Sequence, residues 1–246
     1  MNTLIKLEIT RTLRNKKFMF FSVLYPAALY LLIAGGASTT EIVEGTHLTL
    51  PLLMMVSMAS FGAITAVLVG NSEKIAKERE KGWVRQLRLT ALPGRGYVAA
   101  KVASAAVVSL PSILVVFAVA AAVKGVRLDA WQWCALTGAI WAGSIVFAAL
   151  GVAIGYLATG DAVRPLTMII YFGLSVLGGL WMPTATFPQW LRNIAEWVPT
   201  HAYAALGQAI ERGDAPQLKD VTLLVAYLVL FAGGAAWLYR KDTREA

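Results

Sequence analysis

Charge is scarce in this chain. Asp, Glu, Lys and Arg make up 15% of its 246 residues, against about 25% in soluble domains. Hydrophobic residues make up 58%, against about 45–50%, and they come in runs long enough to cross a bilayer. That excludes a soluble domain and makes the chain an integral membrane protein. Cysteine and histidine are almost missing. The one cysteine, Cys134, permits no intrachain disulfide, and its place in a hydrophobic run predicts packing rather than chemistry. His47 and His201 have no metal-binding motif and no nucleophile or base near them in sequence, so an enzyme active site is not expected. The G-x-x-x-x-G-K-[ST] phosphate loop is also absent, since Gly94, Gly96 and Lys101 lack its spacing; any ATP energy has to come from another chain. No ionisable residue falls near the middle of an apolar run, which counts against proton relays, voltage sensors and ion-coupled carriers.

What is present is a series of six apolar segments, 18–36, 48–70, 97–123, 130–158, 166–182 and 221–239, each read as a membrane span. Residues 1–17 before them read as an interfacial helix, with Ile5, Ile9 and Leu13 recurring every four residues and Lys6, Arg11, Arg14 and Lys17 around the other side. Pro26 in the first span is tolerable if a neighbouring helix satisfies the carbonyl it frees. Gly151 and Gly155 form a small GxxxG pattern in the fourth span, with Gly138 and Gly143 nearby, which permits close helix contact. Met54, Met55 and Met58 suit packing better than metal binding.

Two polar stretches interrupt the series. The first, 71–101, holds eight of the 22 basic residues, and 72–89 reads as an amphipathic helix. Lys74, Lys77, Lys81, Arg85 and Arg88 fall on one side of it and Ala76, Trp83 and Leu87 on another. Glu80 lies inside that apolar stripe, so it is expected to meet a partner group rather than water. In the second, Pro183, Pro188 and Pro199 cut the chain into pieces too short to span, and 187–211 reads as a short helical hairpin along or dipping into the outer interface. With the N-terminus inside, 17 basic residues lie on the inner side and five on the outer, while the acidic residues divide seven and seven. Both termini are therefore expected in the cytoplasm, and the net charge of +8 needs no nucleic-acid partner.

Three stretches then carry a resemblance: the basic helix ending in RNKKF, the segment KEREKGWVRQLRLTALPGRGYVAAK, and MPTATFPQWLRNIAEWVPTHAYAAL. Together the chain resembles the membrane subunit of ABC type-2 exporters, the bacterial drug-, lipid- and polysaccharide-export permeases. Glu78, Arg79, Glu80 and Gly82 look like that family's Glu-Arg-Glu-x-Gly element, and Pro93, Tyr97 and Lys101 like the positions that follow it. Trp83 stands where such permeases often have Thr. The resemblance implies an all-α integral membrane fold with six transmembrane helices, the N-terminal interfacial helix, a cytoplasmic coupling helix between spans two and three, and the outer hairpin before span six. It implies a second copy or a related permease completing the path, in a bacterial cell membrane. It implies a separate ABC ATPase, carrying ATP and Mg, on the cytoplasmic face. Glu78, Arg79, Glu80, Gly82, Trp83 and Arg85 would then couple to the ATPase, with Asp161 and Arg164 as a smaller contact. Tyr171, Phe172, Trp181 and Met182 are candidates for an aromatic, apolar path suited to an antibiotic or lipid. The alternative is a membrane scaffold or immunity protein that binds a partner without transport.

Overall fold

The computed structural model describes residues 2–43, 46–82, 94–158 and 160–245, without the side chains of 2–5, 94–100 and 243–245. Helices account for nearly all of it: α1 (Asn2–Leu13), α2 (Lys16–Ala34), α3 (Leu50–Glu80), α4 (Gly94–Lys124), α5 (Ala130–Leu157), α6 (Val163–Leu177), α7 (Gln189–Ala195), α8 (Pro199–Arg212) and α9 (Leu218–Glu245). Six helical stretches, in α2, α3, α4, α5, α6 with the turn Gly160–Ala162 before it, and α9, are long and apolar enough to cross a bilayer, so the protein is a multi-pass membrane protein. Helix α3 is the axis of the bundle, with 83% of its apolar window inside, whereas only 11% of the α9 window is inside. The last helix therefore presents most of its surface outward.

Helix α3 does not end at the expected boundary near residue 70. It runs 31 residues in all, from Leu50 to Glu80, because Gly70 packs against the Phe18 ring and Ile75 and Ala76 carry the buried face onward. Lys81 and Gly82 end it, and Gly82 has φ +66°, the left-handed conformation that glycine adopts without a Cβ penalty. Helix α6 is shorter than the expected span. It stops at Leu177, followed by Gly178 and by Gly179 with φ +79°, so Trp181 and Met182 lie beyond the helix.

Small residues and hydroxyls hold the spans together. Pro26 cannot bond the carbonyl four residues back, at Ser22, and the Ser112 hydroxyl on α4 donates to that oxygen at 2.6 Å. Gly62 makes this possible: a Cβ there would lie 2.0 Å from Ser112 Oγ and 2.9 Å from Pro26 Cγ. On α5, a Cβ at Gly151 would meet the Leu68 carbonyl oxygen at 2.7 Å, and one at Gly155 would meet Ile75 Cβ at 2.8 Å. The GxxxG face thus seats α5 on the backbone of α3. Gly143 accommodates the Tyr203 ring, whose hydroxyl donates to the Ile140 carbonyl at 2.6 Å. Gly138 faces open space.

One expectation is corrected. Cys134 is exposed rather than packed. The inward face of α1 is polar: Glu8 and Thr12 are buried, while Leu7 and Leu13 are 62% and 46% exposed. The bundle offers this helix cations rather than an apolar groove, so its apolar residues turn outward, as suits a helix lying at a lipid surface.

Candidate functional site

The basic end of the bundle gathers most of the charged residues that the sequence singled out. Glu78 projects from the last turn of α3 and is only 5% exposed. One of its carboxylate oxygens accepts from Lys101 Nζ at 2.7 Å, and the same ammonium reaches Glu8 Oε1 on α1 at 2.8 Å. Arg11 approaches Glu78 at 3.7 Å from the exposed side. One turn earlier on α3, Lys74 donates to Thr12 and lies over the Phe18 ring, 5.8 Å from its centroid. A desolvated ammonium between two carboxylates ties α1, α3 and α4 together, because moving a partner away weakens the pairing of charges that lie out of water.

Arg79, the next residue, points elsewhere. Its Nη1 donates to the carbonyl oxygens of Gly155, Tyr156 and Ala158 at 3.0, 3.2 and 3.3 Å, and its Nε to Asp242 Oδ1 at 3.1 Å. The last carbonyls of a helix lack intrahelical donors and carry the negative end of its dipole. Arg79 supplies both donors and charge to the end of α5, and Asp242 of α9 balances it. The guanidinium also lies 5.3 Å from the centre of the Tyr156 ring, which meets the Tyr239 ring edge to face.

Of the remaining expected coupling residues, Glu80, Asp161 and Arg164 are exposed and lie around these two clusters. Glu80 is exposed in the single chain, and Glu78, two residues earlier on the helix, is the carboxylate that meets a cation within the bundle. Glu80 sits beside Gly160, at the loop that follows α5. From the first turn of α6 Arg164 reaches Glu73 on α3 at 3.7 Å, while Asp161 is exposed. The 72–82 and 160–164 stretches, distant in sequence, thus share one surface with Lys77 and Lys81. Trp83 and Arg85 lie outside the described residues.

The candidates for an aromatic path also come together, around a residue the sequence reading missed. Phe61 on α3 lies 4.9 Å from Tyr171 and 5.3 Å from Trp181, ring centre to ring centre, and Phe172 joins Tyr171 at 5.1 Å. Tyr171 is buried, its hydroxyl bonded to Thr65 within a single π turn of α3, Thr65–Val69. Phe172 and Met182 are 41% and 49% exposed.

At the opposite end, Lys124 closes α2 by donating to the carbonyls of Gly35 and Ala37, each at 2.9 Å. Gln132 of α5 donates to the Ile210 and Glu211 carbonyls at the end of α8. Glu211 itself is buried, and neither carboxyl oxygen has a partner among the described residues. Burial pushes this carboxyl well above its usual range, with Arg212 opposing weakly. A folded-state pKa raised in this way costs stability as pH climbs above the unfolded value of about 4.3 and costs nothing below it. Glu211→Gln is therefore expected to raise the thermal midpoint in detergent, with the gain widening from pH 5 to pH 8. A gain that stayed flat with pH would mean that Glu211 is ionised in the fold.

Six membrane-length helices, an aromatic cluster and a charged, multiply tied end define a polytopic membrane domain. The chain belongs to the ABC-2 family transporter proteins, whose family model matches residues 39–238. It is also 28% identical over 237 residues to the protein named "Putative transport permease YvfS" of Bacillus subtilis (strain 168), covering 96% of this chain and 95% of that one. It is thus a membrane transport permease by family.

Proposed function

We propose that this chain is the permease subunit of an ATP-driven exporter, pairing with a second permease copy and powered by a separate ATPase that binds ATP and Mg. The observation that carries this reading is α3, one unbroken helix from the aromatic interior to the exposed basic end, where Glu78 and Arg79 tie its last turn into the bundle. A rigid helix of about 1.5 Å rise per residue carries a push along its length. ATP binding can shift such a lever only through contacts that differ between motor states, and the exposed rim of Lys77, Glu80, Lys81, Asp161 and Arg164 offers them. The crowding of 17 of the 22 basic residues in segments read as inner supports a cytoplasmic setting for this end and both termini, in a bacterial cell membrane. The aromatic cluster around Phe61 supports an amphipathic or hydrophobic substrate, such as an antibiotic or a lipid.

The test is an affinity pull-down of the tagged protein from gentle-detergent extracts of its native membrane, with nucleotide present and the bound chains identified by mass spectrometry. An ATPase carrying a phosphate loop is expected in about equal amount. Its absence after crosslinking overturns the reading in favour of a scaffold or immunity protein.

A further inference from the structure

Glu78 and Arg79 are neighbours, and a helix turns about 100° per residue. Their side chains therefore leave the end of α3 in different directions, and they meet different parts of the bundle. Glu78 leads through Lys101 to α4 and Glu8 on α1. Arg79 leads to the end of α5 and, through Asp242, to α9. Helix α9 packs mainly on α5 and α8, and most of it faces outward. Arg79 with Asp242 is thus a polar link between α3 and the last helix.

We propose that Arg79 is a positioning residue of the transport cycle: with Asp242 it makes α5 and α9 follow α3, while Glu78 separately makes α1 and α4 follow. The inference rests on the reading of the chain as an ATP-driven permease. One push on the exposed end of α3 is thereby divided between two groups of helices on different sides of the bundle. The chemistry suits the task. A guanidinium is planar, with its donors in a fixed fork, so three carbonyls and a carboxylate held by it move as a unit. The Arg79 side chain is only 15% exposed, so water competes poorly for those bonds. Lysine in its place keeps the charge and loses the fork.

The experiment uses the permease in lipid nanodiscs with its co-purified ATPase, on a Cys134→Ser background. Spin labels are placed at the exposed positions Leu7 on α1 and Trp237 on α9 and on the ATPase, and distances are read by pulsed electron resonance with and without a non-hydrolysable ATP analogue. In the parent protein, nucleotide is expected to shift both the Leu7–ATPase and the Trp237–ATPase distances. In Arg79→Lys and Asp242→Asn the ATPase is expected to bind in equal amount and the Trp237 shift to vanish, while the position of Leu7 relative to the ATPase still responds. In Glu78→Gln the pattern is expected to reverse, with the Leu7 response lost and the Trp237 response kept. Asp242→Asn leaves the α5 carbonyls capped, so it serves if the Arg79 variant does not fold. Persistence of the Trp237 response in Asp242→Asn, or its absence in the parent with ATPase bound, overturns the proposal. Failure of the parent to retain any ATPase overturns the underlying reading instead.

Discussion

Lys101→Met is expected to destabilise the protein by about 3–5 kcal/mol, the range for breaking a buried ion pair from one side. Lys101 is 2% exposed and lies between Glu8 and Glu78, both nearly buried. Removing the ammonium takes away the cation that the two nearly buried carboxylates share, and Arg11, 3.7 Å from Glu78 and largely exposed, offsets that only in part. One Glu8 oxygen already lacks a partner among the described residues, so that side chain has no reserve. The loss reads as a lower thermal midpoint and a smaller monodisperse peak in detergent. Adding Glu8→Gln and Glu78→Gln to Lys101→Met is expected to restore much of both, because the cost is the stranded charge rather than the missing pair. If the triple variant is as damaged as the single one, packing of the lysine stem is the larger contribution.

Gly151→Leu is expected to prevent correct assembly, and Gly138→Leu in the same helix to leave it unchanged. A Cβ at 151 already falls 2.7 Å from a backbone oxygen of α3, a neighbour that cannot swing aside as a side-chain tip can. Alanine alone forces the helices apart, at a cost of about 1–3 kcal/mol typical of overpacking, and leucine adds three more carbons. At 138 nothing lies within 4 Å. Thermal unfolding of the two variants beside the parent decides the point, and equal damage from both would mean that glycine flexibility, not close approach, is what α5 needs.

That contrast shows why the sequence was readable only in part. Apolar runs of spanning length follow from the bilayer itself and were legible, as was the family through the Glu-Arg-Glu-x-Gly element. Which of four glycines in one helix touches a neighbour depends on rotation about the helix axis, which no local pattern sets. The inward carboxylate was missed for a related reason. A helical wheel put Glu80 in the apolar stripe of a separate 72–89 helix, but α3 runs through from the membrane, so its core-facing side is set by Ile75 and Ala76 and brings Glu78 inward. The partners were hidden by distance: Glu8 is 93 residues from Lys101, and Asp242 is 163 from Arg79. Each nevertheless left a trace. Glu8 is a lone acid in a basic helix, Lys101 a lone cation at the foot of an apolar run, and Asp242 an acid within the closing RKDTRE.

Those separations also order events during synthesis. At about 5–20 residues per second, α1 waits roughly 5–19 s on the membrane surface before Lys101 emerges, with Glu8 still able to reach water. Arg79 waits longer, roughly 8–33 s on the same scale, since Asp242 follows 163 residues later. The knot between α3, α5 and α9 is therefore the last to be tied, and a ribosome that stalls late releases a bundle whose lever is fastened on one side alone.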